Sequence, residues 1–396
     1  MGIINTKPII LTFTGHYLPG YKAYGILRNT VNTVENMHEE MEFWIVTRDR
    51  DLGDDKPYDK VKTGGWQSLG NCMVYYLPHK AFTVQSLSEI ISNTQHDVVY
   101  LTSFFDLLTI KVLLSRRLHK IPIKPVIVEP NGEFGWASLK QKFLKKITYI
   151  QAARLFGFYK NVTWRATSEH EQNDIIRFMR IKSNSIHIAT YLPEKIVQCL
   201  NVSREGVARH DNEKYELRLI FLSRISPEKN LDYALKLLGK VKSNVVFDIY
   251  GPNDDVKYWN ECRELIKQLP ANVKVNYFGL LEHNEVHRVL GLYDVFLLPT
   301  GGEAYGIVIA ESLMAGTPVL VSDNTPWRNL QSDDLGWDFP LDDMDSFVAV
   351  IERHAKTTPN ERIKIREKIK TFAAKRLSDP AVLEANRRLF LDRIVR

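Results

Sequence analysis

The fold of this chain is decided by residues 217–238, which read LRLIFLSRISPEKNLDYALKLL. The apolar run Leu217–Leu222 is typical of a strand that is buried on both faces of a parallel sheet. A short polar loop follows, and from Asn230 to Val241 the apolar residues recur at helical spacing. A buried strand, a loop and a helix begin a βαβ unit, so this stretch predicts an α/β domain with a parallel sheet.

The same alternation continues on both sides of this stretch. In the C-terminal half, strands are predicted at Leu217–Leu222, Val245–Tyr250, Val273–Phe278, Val295–Pro299 and Pro318–Ser322, with helices at Asn230–Val241, Val256–Gln268, Glu282–Leu290 and Ile307–Ala315. In the N-terminal half, strands are predicted at Pro8–Thr14, Glu42–Thr47, Met73–Leu77, Val98–Leu101, Pro125–Val128 and Thr163–Ala166, with helices at Gly25–Met37, Ser86–Ser92 and Leu107–His119. The pattern predicts two Rossmann-like, doubly wound α/β domains.

The chain length agrees with two domains, because single cores seldom exceed about 250–300 residues and this chain has 396. A polar segment, residues 199–216, is interpreted as a linker between an N-terminal domain (1–198) and a C-terminal domain (217–377). The charged end of the chain is predicted to be helical, with a final helix in residues 378–396. Ligands of open α/β sheets bind beyond the carboxyl ends of the strands, so we expect the domains to face each other across a ligand-binding cleft.

Charge and cysteine content narrow the function classes. Residues 1–198 contain 25 Lys and Arg against 18 Asp and Glu, which fits either an anionic partner, such as a membrane surface or a phosphorylated substrate, or ordinary solvated lysines. Three widely separated cysteines predict neither a disulfide framework nor a metal cluster. We therefore expect a cytoplasmic protein with no spanning helix, no signal peptide and no nucleic-acid partner.

Two loops carry candidate ligand-binding residues. Arg224 follows the strand Leu217–Leu222, and Lys229 comes five residues later at the start of a helix. Two cations beside a helix N-terminus suit a diphosphate, although surface charges at such a junction are the plain alternative. The second loop is Pro299–Gly306, whose glycines allow backbone N–H groups to approach an anion closely.

Two carboxylates flank that second loop. Glu303 and Glu311 are eight residues apart, which is on the order of 12 Å along a helix. The span suits one carboxylate accepting hydrogen bonds from a sugar and the other from a ribose on either side of a diphosphate. A helix-start carboxylate and a buried, paired one would produce the same pattern.

Together these motifs resemble those of a known family. The run from Glu303 through Gly306 to Glu311, continued by Ser312–Val319, resembles the glutamate–seven–glutamate signature of family 4 retaining glycosyltransferases, and Arg224 with Lys229 is similar to that family's Arg–Lys pair. Tyr250-Gly251-Pro252, Phe278-Gly279-Leu280 and Tyr293–Pro299 also stand in the family's order. The resemblance covers nearly all of residues 217–322.

The resemblance implies a GT-B fold and a role for each matching residue. Arg224, Lys229 and Glu303 are the expected catalytic residues: the two cations neutralise the leaving diphosphate, and Glu303 holds sugar hydroxyls. The expected donor-binding residues are Gly20, Gly25, Gly251, Pro252, Leu280, Ala304, Tyr305, Gly306, Ile307 and Glu311, the last of these on the ribose. The expected acceptor-side residues are Lys22, Tyr24, Asn131 and Glu133. The final helix is expected to cross back onto the N-terminal domain.

The N-terminal half departs from the family pattern at two places. Many relatives have two adjacent glycines where this chain has Tyr24-Gly25. Many also have a histidine or an arginine near the position where this chain offers Asn131 and Glu133. Which of these two residues touches the sugar stays open at this point.

Two other motifs have ordinary structural explanations, and one expected motif is absent. Asp49-Arg50-Asp51 resembles a metal-binding carboxylate pair, but Arg48 and Arg50 would offset the charge that attracts a metal. His283 and His287 are four residues apart without an evident third ligand, so we expect a solvated helix face. A dehydrogenase is disfavoured, because no strand is followed by Gly-x-Gly-x-x-Gly.

A basic segment offers a membrane contact. Lys140, Lys142 and Lys145 alternate with Phe143, Leu144 and further apolar residues up to Phe156. A basic amphipathic helix lying on an anionic membrane and a domain helix with a charged outer face both fit this pattern.

The predicted reaction is transfer of a sugar, with retention, from a nucleotide diphosphate sugar to a hydroxyl of a glycan or lipid-linked acceptor. The favoured donor is a UDP-sugar, the setting is surface-polysaccharide synthesis, and no metal or other cofactor is required. The alternatives are a nucleotide-sugar epimerase of the same fold, which needs no acceptor, and a carbohydrate-binding protein without turnover.

Overall fold

A computed structural model of the chain describes residues 7–195, 217–253, 255–377 and 379–394. Contacts divide the chain into two units, of which unit 1 is Met1–Lys195 with Asp379–Arg396 and unit 2 is Ile196–Ser378. The predicted linker, residues 199–216, lies outside the described residues. None of the described helices is both long enough and apolar enough to cross a membrane.

Within the described residues, unit 1 contains an eight-stranded sheet in the order β3-β4-β2-β1-β5-β6-β7-β8. All neighbouring strands are parallel except β3 and β4, which are antiparallel. The strands are β1 (Ile9–Phe13), β2 (Glu42–Arg48), β3 (Trp66–Leu69), β4 (Cys72–Leu77), β5 (Val98–Leu101), β6 (Val126–Val128), β7 (Thr163–Ala166) and β8 (Ile186–Ile188). Strand β5 is buried at all four residues, which is why it reads as a continuous apolar run.

Unit 1 contains two hydrophobic core clusters, which are formed by residues of the sheet and of the helices around it. The helices are α1 (Tyr24–Met37), α2 (Val84–Asn93), α3 (Leu107–Arg117), α4 (Trp136–Lys140), α5 (Phe143–Leu155), α6 (Glu169–Met179) and α13 (Pro380–Leu391). Helix α13 is distant in sequence but packs in this unit. Its Phe390 ring lies edge-on to Tyr100 at 5.2 Å and to Phe43 at 6.0 Å, and Asn386 Nδ2 donates to the Thr190 carbonyl at 2.8 Å.

In unit 2 the described residues form a six-stranded, fully parallel sheet in the order β11-β10-β9-β12-β13-β14. The strands are β9 (Leu217–Leu222), β10 (Val245–Tyr250), β11 (Val273–Gly279), β12 (Val295–Leu298), β13 (Val319–Ser322) and β14 (Gly336–Phe339). The helices are α7 (Leu231–Leu238), α8 (Val256–Lys267), α9 (His283–Leu290), α10 (Ile307–Met314), α11 (Met344–Ala355) and α12 (Pro359–Leu377).

The prediction of two doubly wound, Rossmann-like domains is confirmed. Sequence analysis missed the edge strands β3, β8 and β14, which are only three or four residues long. The basic segment is not the single amphipathic helix that its pattern predicts. It forms α4 and α5, separated at Lys142, whose φ of 58° interrupts the helix.

Candidate functional site

The sheet order of unit 2 locates the region where a ligand is expected. From β9 the chain adds β10 and β11 on one side of the sheet, and it later adds β12, β13 and β14 on the other side. The carboxyl ends of β9 and β12 are therefore the topological switch point of this unit, where the loops diverge and leave a crevice.

The loop after β9 carries one exposed cation and one buried cation. Arg224 is exposed, whereas Lys229 has only 9% of its surface exposed. The two are oriented differently because Ile225 is buried between them and Pro227–Lys229 forms a short 3-10 turn. Asn230 then adopts a left-handed conformation with φ 54°, and α7 begins at Leu231.

Hydrogen bonds fasten this loop to the loop after β12. Lys229 Nζ lies 2.6 Å from Glu303 Oε1. The Glu228 carbonyl accepts from the Gly301 N–H at 2.7 Å, and Asn230 Nδ2 donates to the Pro299 carbonyl at 2.9 Å. The structure thus brings together the residue predicted to bind the diphosphate, Lys229, and the residue predicted to bind the sugar, Glu303, which are 74 residues apart in sequence.

Helix α10 begins directly after the loop that follows β12. Gly306 precedes it with φ 79°, a conformation that disfavours side chains, and a Cβ there would lie 2.8 Å from Ile309 Cδ1. The helix has neither a side-chain N-cap nor an acidic residue in its first turn, so its terminal N–H groups suit an anion. Ala304 and Ile307 are half-buried on either side of Gly306, and the carbonyl of the buried Tyr305 accepts from Trp327 Nε1 at 2.6 Å.

The second carboxylate, Glu311, lies inside α10 and is 6% exposed. His283 Nδ1 lies 3.9 Å from Glu311 Oε1, and the His283 side chain is 16% exposed. The expectation of a solvated face for His283 is therefore wrong, because the first residue of α9 packs toward α10. Sequence reasoning missed this neighbour, and its position directly after the Phe278-Gly279-Leu280 motif was the available signal.

Gly251 holds the ends of β9 and β10 together. Its φ is 139°, and a Cβ there would stand 1.9 Å from the Ser223 carbonyl oxygen. The Gly251 N–H donates to the Gly279 carbonyl at 2.7 Å, and the Pro252 carbonyl accepts from the Ile225 N–H at 2.9 Å. Gly251 and Pro252 therefore anchor the loop that bears Arg224, and Leu280, at the end of the next strand, is 45% exposed.

In unit 1, the predicted residues of the loop after β1 are held largely by Asp51. Its Oδ2 accepts from the N–H groups of Tyr21 at 2.7 Å and Lys22 at 3.1 Å. A Cβ on Gly20 would lie 3.0 Å from Asp51 Oδ1 and closer still to the Tyr58 hydroxyl. The Asp51 carboxylate thus holds the loop after β1, and Asp49 pairs with Arg50 at 2.9 Å.

The beginning of α1 is more open. Tyr24 is the first residue of this helix, and no side chain caps its N-terminus. A Cβ on Gly25 would meet no atom within 4 Å. The Lys22 ammonium reaches away to Asp54 Oδ1 at 2.5 Å.

Asn131 and Glu133, at the end of β6, are engaged within unit 1. Asn131 Nδ2 donates to the Thr102 carbonyl at 2.6 Å, and its Oδ1 accepts from the Tyr191 hydroxyl. Glu133 Oε1 accepts from Ser103 Oγ at 2.7 Å, and its Oε2 accepts from the Phe104 and Phe105 N–H groups. Burial raises the pKa of the Glu133 carboxyl from 4.5 to about 7, against the lowering effect of these hydrogen bonds.

An ion pair that sequence reasoning missed lies beneath this loop. Arg165 Nη1 and Glu129 Oε1 are 3.3 Å apart, and both side chains are fully buried. Tyr100 bonds to both of them, and Asn29 Nδ2 donates to Glu129 at 3.0 Å. Glu171 accepts from the Gly132 N–H at 2.6 Å. Together these contacts fix the backbone from which Asn131 and Glu133 project.

Comparison with known proteins gives one family match. Residues 204–376 match the family model described as "Glycosyl transferases group 1". Two curated proteins align with most of this chain. An alpha-monoglucosyldiacylglycerol synthase of Streptococcus pneumoniae is 23% identical over 91% of this chain and 82% of its own length. A 41.2 kDa protein in the cps region of Klebsiella pneumoniae, itself named uncharacterized, is 22% identical over 70% of this chain and 74% of its own length.

Among solved structures, Anabaena Alr3699/HepE in complex with UDP and glucose is similar to this chain with a TM-score of 0.67. The match covers 96% of this chain and 98% of that protein at 14% identity. At this identity the similarity concerns the fold, which is the GT-B fold of glycosyltransferases.

Proposed function

We propose that this glycosyltransferase, whose residues 204–376 match the group 1 family model, transfers a hexose from a UDP-sugar to a hydroxyl of a glycan or lipid-linked acceptor, with retention of the anomeric configuration. The observation that carries the proposal is the Lys229–Glu303 pair at 2.6 Å across the switch point of unit 2. It joins a cation suited to the diphosphate and a carboxylate suited to the sugar in one site.

The proposed chemistry divides the work among the residues of this site. Breaking the bond to the sugar leaves negative charge on the diphosphate and gives the sugar an oxocarbenium-like character. Lys229, the exposed Arg224 and the N–H groups at the start of α10 would stabilise the departing diphosphate. When a donor binds, the diphosphate would replace Glu303 as the partner of Lys229, and Glu303 would then accept from sugar hydroxyls. In this scheme protein cations supply the positive charge, so turnover without added metal is part of the proposal.

The choice of donor and setting rests on relatives. The Anabaena structure holds UDP and glucose, which supports a UDP-sugar. One curated relative is named for a glucosylated diacylglycerol and the other for a cps region. These names support a lipid-linked or glycan acceptor and a role in surface-polysaccharide synthesis.

Contact with a membrane is part of the proposal, and its support is the surface of α4 and α5. Trp136 is 68% exposed, Leu144 80% and Leu155 81%. The exposed lysines Lys142 and Lys145 lie beside them. Apolar side chains flanked by cations suit the interface of an anionic bilayer. Flotation with phosphatidylcholine vesicles, with and without phosphatidylglycerol, tests this: binding that needs phosphatidylglycerol and is lost in Leu144→Ser supports the contact, and no flotation contradicts it.

The donor proposal is tested by thermal stabilisation with UDP, GDP, ADP and their glucose conjugates in the presence of EDTA. A ligand that binds the native state raises its stability by mass action. We expect UDP and UDP-glucose to raise the melting temperature, and Arg224→Ala to remove most of this shift. Arg288→Ala is the matched control, since Arg288 is paired on the surface with Glu285 of the same helix.

The reaction itself is tested by following sugar transfer from the stabilising donor. A requirement for an acceptor distinguishes transfer from epimerisation, and turnover distinguishes it from carbohydrate binding. No shift with any nucleotide, or a shift that needs a divalent metal, would contradict the proposed donor site.

A further inference from the structure

Unit 1 has a switch point of its own, at the carboxyl ends of β1 and β5. From β1 the chain adds β2 and β4 on one side of the sheet, and it later adds β5 and the following strands on the other side. The loops after β1 and β5 approach each other closely here, because a Cβ on Gly15 would lie 2.7 Å from Asp106 Oδ2. In open α/β sheets this crevice is where ligands bind.

Arg48, the last residue of β2, is held at this crevice by two partners. Its Nη2 donates to Asp106 Oδ2 at 2.9 Å, and its Nη1 lies 3.3 Å from His16 Nε2. Burial and the Arg48 charge lower the pKa of His16, so the neutral ring accepts from Arg48 through Nε2 while Nδ1 faces the Arg50 carbonyl at 3.3 Å. A guanidinium has five N–H donors, so the two contacts fix its plane and leave donors for a ligand.

A second cation, Lys111 of α3, contacts the same aromatic ring as Arg48, and its Nζ donates to the Phe82 carbonyl. Lys111 Nζ is 4.1 Å from the centroid of the Phe82 ring, and Arg48 Cζ is 5.3 Å from the same centroid. Partial burial and the Arg48 charge both lower the pKa of Lys111. Asp106 pairs with Arg48, and it also caps α3 by accepting from the Leu108 N–H at 2.7 Å.

Other carboxylates near this crevice already have partners: Asp51, which acts on His16, accepts from the backbone N–H groups of Tyr21, Lys22 and Leu52. Asp49 is paired with Arg50 at 2.9 Å. Burial raises the pKa of Glu133 to about 7, which reduces its negative charge at neutral pH. An anion that contacts both Arg48 and Lys111 would offset the repulsion between their charges.

We propose that Arg48 and Lys111, braced by Asp106 and His16, form a subsite of unit 1 that binds a phosphate group of the acceptor. This inference rests on the proposed glycosyl transfer. Arginine and lysine together suit a phosphate, through a fork of N–H donors and a point charge respectively. The phosphate could belong to a soluble sugar phosphate or to a lipid, and the exposed Leu107 that follows Asp106 offers an apolar contact for a lipid chain.

The test measures phosphate binding by calorimetry in the full chain saturated with UDP, and again in Arg224→Ala, so that the donor site of unit 2 does not capture the probe. The probes are glucose 1-phosphate and monomeric dihexanoyl phosphatidic acid. The variants are Arg48→Gln and Lys111→Met, and the second leaves the Arg48–Asp106 pair intact if the first fails to fold. Lys120→Met is the matched control, because Lys120 is exposed just beyond α3 and carries the same charge.

We expect each subsite variant to weaken binding of at least one probe by about tenfold or more, and Lys120→Met by less than about twofold. An effect on both probes identifies the phosphate itself, and an effect on the lipid probe alone identifies a lipid phosphate. No binding of either probe, or equal binding by all variants, overturns the subsite. If the Arg48 and Lys111 variants weaken probe binding although no nucleotide binds, the proposed function fails and the subsite stands. If nucleotide binds but these variants do not weaken probe binding, the subsite fails and the proposed function stands.

Discussion

The two switch points of this molecule each contain a cation–carboxylate pair, but different groups surround the two pairs. In unit 2, Lys229 from the loop after β9 meets Glu303 from the loop after β12 at 2.6 Å. In unit 1, Arg48 from the end of β2 meets Asp106 from the loop after β5 at 2.9 Å. Each crevice is thus spanned by a cation–carboxylate pair whose members come from different loops.

The difference lies in what surrounds each pair. In unit 2, the loops at the switch point contain Gly251 and Gly306, which have positive φ angles. The unit 1 pair is bordered by side chains, namely His16 and the ring of Phe82. A backbone-lined crevice suits a ligand with regular geometry such as a diphosphate, whereas side chains are changed more readily to suit different acceptors. The comparison yields four predictions.

The largest effect is expected from Lys229→Met. Losing one preorganised charge at a departing diphosphate should lower kcat/KM by about 10²–10³-fold. Initial rates of sugar transfer measure this. Lys236→Met is the control, because Lys236 is 53% exposed and pairs with Asp232 on the surface of α7. Near-normal turnover in Lys229→Met would remove the catalytic role of the unit 2 pair.

Gly251→Ala should be the most destabilising single change at either switch point. The new Cβ would stand 1.9 Å from the Ser223 carbonyl oxygen at φ 139°, so backbone must move, at a cost of roughly 3 kcal/mol or more. Urea unfolding measures the loss. Gly279→Ala is the control, because it has φ 73° but no atom within 4 Å of the new Cβ, and should cost about 1–2 kcal/mol. Equal losses in the two variants would refute the packing argument.

Glu133→Gln should change how stability depends on pH. The folded pKa of about 7 exceeds the ordinary value of 4.5, so the folded chain binds the proton more tightly than the unfolded chain. The resulting stabilisation is fully present below about pH 4.5 and is lost as the pH rises through about 7, a total of about 3 kcal/mol.

The glutamine amide mimics the protonated acid, so the variant should lack this loss. The free energy of unfolding of both proteins between pH 4.5 and 8 provides the measurement. Parallel pH profiles of the wild type and Glu133→Gln would contradict the raised pKa.

Gly15→Ala should have the smallest effect on stability, about 1 kcal/mol. Its Cβ would clash with the Asp106 carboxylate at 2.7 Å. The Asp106 side chain can rotate away, whereas the Ser223 backbone carbonyl that faces Gly251 cannot. Urea unfolding beside Gly251→Ala gives the direct comparison. A loss as large as that of Gly251→Ala would mean that the unit 1 crevice is as rigid as that of unit 2.

The difference between the two switch points also explains how far sequence reasoning reached. The unit 2 residues occur in two short, glycine-marked segments with recognisable spacing, so Arg224, Lys229, Glu303 and Glu311 can be named as candidates from the sequence. His16, Arg48, Asp106 and Lys111 are scattered over nearly a hundred residues, and none belongs to a distinctive local pattern. Asn131 and Glu133 were noticed from their position after a strand, but sequence did not reveal that their side chains already bind neighbouring loops.

By itself, the sequence determined the two α/β domains and the strand–loop–helix segments of the candidate site in unit 2, because apolar periodicity and glycine spacing are local properties of the chain. Only the tertiary structure decided which loops meet: that Lys229 pairs with Glu303, that Arg48 pairs with Asp106, and that Arg165 and Glu129 are buried together. Such pairs depend on strand order and on desolvation, and both arise when segments distant in sequence pack into one sheet.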